Sequence, residues 1–121
     1  MSKSKAQGTA WEVALVKMLN EQTDGYAERI AEGGSKDLGD VRYEDVLGDE
    51  WIIECKATET LSVTMALHKA KKKSGVPNTI LAWKRLTPKA GKQRRTPMGE
   101  PEVYIVDRDT MLGLLGAHPD D

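Results

Sequence analysis

Within Trp51-Ile52-Ile53-Glu54-Cys55-Lys56-Ala57, a carboxylate and an ammonium two positions apart interrupt an otherwise apolar run. If the run is a strand, Glu54 and Lys56 project from one face and Ile53 and Cys55 from the other. Charges on so hydrophobic a strand cost stability unless they pair or hold a ligand. Upstream, Gly39-Asp40-Val41 opens the expected partner strand, so Asp40 could bring a second carboxylate to the same place. Two carboxylates, a backbone carbonyl and waters make a site for a hard cation such as Mg²⁺. The register decides whether they meet. A two-residue turn at Gly48-Asp49 would pair Leu47 with Glu50 and Asp40 with Ala57, which puts Asp40 on the wrong face. A shared site therefore requires an odd-length turn, a bulge, or Asp40 lying just before regular pairing begins.

The elements that would position these groups can be read from periodicity and breakers. Trp11, Ala14, Leu15, Met18 and Leu19 recur at helical spacing and predict a helix over residues 9–22, with Thr9 as a possible cap. Glu12, three residues after Thr9, fits a capping box. After Thr23-Asp24-Gly25, residues 26–30 read as a strand or a loop, and Gly33-Gly34-Ser35 breaks regular structure. Residues 41–47 and 51–57 form a hairpin turning at Gly48-Asp49. Residues 62–74 predict a second helix with Val63, Ala66, Leu67 and Ala70 on one side and lysines on the other, stopped by Gly75 and Pro77. Strands follow at 79–83 and 103–106, separated by a long mobile basic loop at 84–99, and residues 108–115 form a last helix closed by Gly116. The expectation is one α/β domain over residues 1–121, a mixed sheet flanked by helices in the order α-β-β-β-α-β-β-α, with flexible tails at 1–8 and 117–121.

The charge pattern points to the partner. The net charge is −1, yet residues 60–99 carry ten basic residues and no acid, which leaves eight basic and nineteen acidic residues elsewhere. A block of +10 beside −11 suits a polyanion binder that also holds cations, and a small-metabolite enzyme has no need of it. Lys69, Lys72, Lys73, Lys84, Arg85, Lys89, Lys92, Arg94 and Arg95 are the candidate nucleic-acid contacts, with Ser35 and Lys36 beside Asp40 as further ones. His68 and Lys71 are expected on the solvated face of the second helix. Cys55 stands alone, with no Cys or His near it at metal spacing, and reads as a small core residue. No apolar run approaches the ~20 residues that cross a bilayer, and no hydrophobic segment follows Met-Ser-Lys-Ser-Lys, so a cytoplasmic protein without membrane contact is expected.

Gly39-Asp40, a hairpin, and then Glu54-Cys55-Lys56 resemble the signature of the PD-(D/E)xK nucleases, and Glu12 matches the extra acidic residue many of them carry on a preceding helix. The stretch Gly34-Ser35-Lys36-Asp37-Leu38-Gly39-Asp40-Val41 looks like that of small phage-encoded members related to Holliday junction resolvases. The likeness spans most of the chain, and Gly39 stands where the family name has Pro.

The resemblance implies a restriction-endonuclease-like sheet and a Mg²⁺ or Mn²⁺ site made by Asp40, Glu54 and the Cys55 carbonyl, with Glu12 as an additional ligand directly or through water. It further implies that Lys56 orients or deprotonates the attacking water, that the substrate is branched DNA cut by a homodimer, and that a phage-encoded copy works in the host cytoplasm. Alternatives stay open at this stage. The same residues fit a DNA-binding module with an incidental carboxylate cluster, a nuclease for linear duplex or flap DNA, or an RNA enzyme. Singly, Glu54 and Lys56 also fit a charged edge ladder, and Asp40 fits a turn.

Overall fold

A computed structural model describes residues 3–31, 38–86 and 102–116 of the chain. Three helices, α1 (Lys3–Gln22), α2 (Val63–Ser74) and α3 (Arg108–Leu114), pack with five strands, β1 (Tyr26–Arg29), β2 (Val41–Glu44), β3 (Glu50–Thr58), β4 (Thr79–Arg85) and β5 (Glu102–Ile105). The strands form one mixed sheet in the order β1-β2-β3-β4-β5, parallel between β3 and β4 and antiparallel elsewhere. The expected mixed α/β class is what the chain adopts.

α1 begins at Lys3, six residues before the expected start, so residues 3–8 are helical and Thr9 is an interior residue that cannot cap. Its buried Trp11 and Leu15 pack against Ala27, Val41, Ile53, Cys55 and Ala82, which make the core on one face of the sheet. The Trp11 indole N–H donates to the Ala82 carbonyl at 3.1 Å and ties the helix to β4. Residues 26–29 become a strand partly through Asn20. Its amide accepts from the Ala27 N–H at 2.7 Å and donates to the Ala27 carbonyl at 2.9 Å, which imitates a strand partner at the edge of the sheet.

The hairpin departs from the expected turn. Val41 pairs with Ile53 and Glu44 with Glu50, so the connection is the five residues 45–49 and β2 is shorter than predicted. Asp45 organises this loop. Its carboxylate accepts from the N–H groups of Leu47 and Asp49, each at 2.9 Å, and from the Trp51 indole at 3.0 Å. Those bonds, the indole's above all, hold the Asp45 carboxyl below the usual carboxylate range. The odd loop sets Val41 opposite Ile53, and that register continued by one residue would bring Asp40 opposite Glu54, as a shared site requires.

On the opposite face from α1, α2 packs on β4 through buried Ala70 and Ser74, with Ser74 Oγ 2.6 Å from Thr79 Oγ1. The helix stops at Gly75, whose φ of 70° lets its N–H close onto the Lys71 carbonyl. α3 is capped by Asp107, which accepts from the Thr110 N–H at 2.9 Å and pairs with Lys71. β4 runs to Arg85, so Lys84 and Arg85 sit on a strand and not in the expected loop at 84–99. The rest of that loop from residue 87, the tail 117–121, and Ser35, Lys36, Lys89, Lys92, Arg94 and Arg95 lie outside the described residues.

Candidate active site

Alternation along β3 sends Ile53 and Cys55 into the α1 core and Glu54 and Lys56 toward α2. Glu54 is 8% exposed, an unusual depth for a carboxylate. It lines a cleft of about 470 Å³ together with Lys56, Ser62, Met65, Lys69 and Lys73. Lys69 and Lys73 are one helical turn apart beside buried Ala70, so the expected division of α2 into an apolar side and a lysine side fails. Three lysines and one carboxylate thus line the cleft, and the charges of Lys73 and Lys56 act on Glu54. Lys72 and His68 are exposed residues of the same helix that do not line the cleft.

Asp40 lies one residue before β2, where the chain swings in through Gly39. Its N–H donates to the Ile53 carbonyl at 3.1 Å and its carbonyl accepts from the Ile30 N–H at 2.9 Å. Its Oδ2 accepts from the Cys55 N–H at 2.8 Å. The N–H and C=O of a strand residue point to the same edge, so the Cys55 carbonyl is also directed toward the β2 side, beyond Val41 where the ladder ends. Gly39 makes the close approach possible. With φ at 155°, a Cβ there would stand 2.6 Å from Ile52 Cγ2 and 3.6 Å from Glu54 Oε2. A side chain at this position thus has a steric obstacle.

Burial, and next the negative charge of Asp40, push the Glu54 carboxyl above the usual carboxylate range, while Lys73 and Lys56 pull it back. Oε2 of Glu54 is buried and accepts no hydrogen bond; Lys73 Nζ stands 3.5 Å from it, too far for a good one. An orphaned, desolvated carboxylate oxygen beside a second carboxylate fits a cation ligand. The raised value fixes a sign. The folded chain holds this proton more tightly than the unfolded one, so ionising Glu54 costs stability, and the cost grows as pH rises from roughly 4 through the folded value. Glu54→Gln removes the cost. Metal-free Glu54→Gln protein should therefore melt higher than wild type at neutral pH, by about 4 °C per kcal/mol relieved, with the gap closing toward roughly pH 4. Melting curves in chelator across that range check this, and a variant less stable than wild type at neutral pH would contradict it.

Glu12 is placed differently from the capping reading. It lies in mid-helix, so the capping box does not form, and its Oε1 accepts from Nε and Nη2 of Arg29, each at 3.2 Å. It sits on the α1 side of β3, close enough to Cys55 to help raise that thiol, which burial chiefly holds above its ordinary value. Among the described residues, no three side chains of His, Cys, Asp and Glu meet as a metal-holding group. The candidate oxygens among the described residues are those of Asp40, Glu54 and the backbone.

The described residues of the basic block do not all face the cleft. Lys84 Nζ stacks 5.6 Å from the Trp11 ring centre on the α1 face, away from the Glu54 cleft. Arg85, two residues beyond Trp83, is exposed at the end of β4. Sequence reasoning missed Asp45 as the residue that sets the register, although an Asp ahead of Gly48-Asp49 is an Asx-turn signal. No helix among the described residues is long and apolar enough to cross a membrane. No family model, curated protein or solved structure matches the chain.

Proposed function

We propose that this chain is a divalent-metal-dependent DNA endonuclease with a restriction-endonuclease-like core, acting by preference on branched DNA. The observation that carries the reading is a buried Glu54 oxygen that accepts no hydrogen bond, with Lys56 beside it in the cleft and Asp40, anchored on the Cys55 N–H, near enough for its charge to act on Glu54. Asp40, Glu54 and the Cys55 carbonyl would hold Mg²⁺ or Mn²⁺, and Glu12, engaged by Arg29, would act only through water. A bound ion of this kind supplies Lewis-acid polarisation of the phosphate and a water of lowered pKa. Lys56, fixed two residues from Glu54 on the central strand, orients the attacking water and stabilises charge building on the phosphate. Lys69 and Lys73 hold the backbone across the cleft. Met111, Leu112, Leu114 and Leu115 at the α3 end stay exposed, the kind of apolar surface a second copy would cover, and a two-fold dimer suits a four-way junction.

Labelled four-way junction, flap, linear duplex and single-stranded RNA, each incubated with Mg²⁺ or Mn²⁺, provide the test. The junction should be cut fastest by wild type and left intact by Asp40→Asn. Equal cutting by Asp40→Asn would defeat the assignment. Salt-sensitive binding with no cutting of any substrate would favour a DNA-binding module.

A further inference from the structure

Lys73 does more in this arrangement than add positive charge. It stands in the last turn of α2 and aims its ammonium at Oε2 of Glu54, the oxygen that has no hydrogen bond. The pair is partly desolvated, with side-chain exposures of 35% for Lys73 and 11% for Glu54. A divalent ion bound through that oxygen would sit about 2 Å from it. An ammonium remaining at 3.5 Å would then face a double positive charge at nearly the same place, a repulsion well above thermal energy even when partly screened. The ion and the ammonium therefore compete for the oxygen.

Resting on the nuclease reading, we propose that Lys73 is the resident counter-ion of the metal-free site, displaced from Glu54 when the divalent ion arrives and transferred to a phosphate of the bound nucleic acid. The four-carbon stem of lysine permits the move, and the cleft it shares with Lys56 and Lys69 is open enough to receive a phosphodiester. Metal and substrate binding are thereby coupled. The ion releases a lysine that the DNA then uses, and the lysine blankets a buried carboxylate that would otherwise lie bare.

The coupling can be read without turnover. Mn²⁺ is titrated into the full-length wild type, Lys73→Met, Lys73→Arg and Asp40→Asn, the free ion is followed by electron paramagnetic resonance, and circular dichroism confirms folding. Lys73→Met should bind Mn²⁺ roughly tenfold tighter than wild type, because no ion pair has to break. Lys73→Arg should stay near wild type, and Asp40→Asn should lose the site. Without metal, Lys73→Met should melt below wild type, and Mn²⁺ should raise its melting temperature by more than it raises that of wild type. Wild-type binding that Asp40→Asn abolishes, with Lys73→Met equal to wild type or weaker, overturns the counter-ion role and leaves the nuclease reading standing. Absence of Mn²⁺ binding in wild type and Lys73→Met alike removes both.

Discussion

Lys56→Ala is expected to lower the single-turnover rate of metal-dependent junction cleavage by roughly 10³-fold, with little change in junction affinity or melting temperature. The reasons are local. Lys56 is half-buried on β3, on the face it shares with Glu54, and contributes nothing to the cluster of Trp11, Leu15, Ile53 and Cys55 that holds the sheet to α1. Removing it deletes a fixed positive charge at the attacked phosphate and leaves the two carboxylates in place. An interaction made chiefly in the transition state appears in the rate constant and not in ground-state binding. Asp40→Asn should match or exceed this loss, since it weakens the cation site itself, whereas Lys56→Arg should recover part of the rate. Rates measured at saturating Mn²⁺, with filter-binding affinities alongside, decide the matter. A Lys56→Ala rate within about threefold of wild type would remove Lys56 from the chemistry.

Gly39→Pro is expected to destabilise the fold by about 3 kcal/mol or more, a fall in melting temperature on the order of 12 °C. Here the backbone stands at φ 155°, and proline is locked near −65°. A side chain would also meet Ile52 Cγ2 at 2.6 Å, so the strand end must shift. That shift would pull Asp40 away from the Ile53 carbonyl and the Cys55 N–H and would open the site it anchors. Gly39→Ala should fall between wild type and proline, because it retains the rotational freedom but not the space. Thermal melts with chemical denaturation as a second measure would check the order, and a proline variant melting within a few degrees of wild type would show that the chain can enter β2 by another route.

Much of the site was legible before folding, for a definite reason. That Glu54 and Lys56 share a face follows from the two-residue period of a strand, which depends on nothing outside residues 51–57. The ends of α2 and α3 were readable for similar reasons, from Gly75 at one and Gly116 at the other. Local signals misled where competition decided. Thr9 and Glu12 satisfy a capping box, but the chain extends α1 to Lys3 and gives Glu12 to Arg29, seventeen positions away. Ten basic residues and no acid over residues 60–99 suggested a basic surface, yet among the described ones Lys71 goes to Asp107, Lys73 to Glu54 and Lys84 to the ring of Trp11.

The sequence by itself therefore determined the alternating strand that carries Glu54 and Lys56, the two helices bounded by glycine, and a divided charge distribution suited to a polyanion. Tertiary structure decided whether Asp40 joins them, because strand register depends on the parity of a loop, and that parity was settled by Asp45 gathering Leu47, Asp49 and Trp51 around one carboxylate. It also decided which cations reach the site, since an ion pair forms where layers meet and not where residues adjoin in the chain.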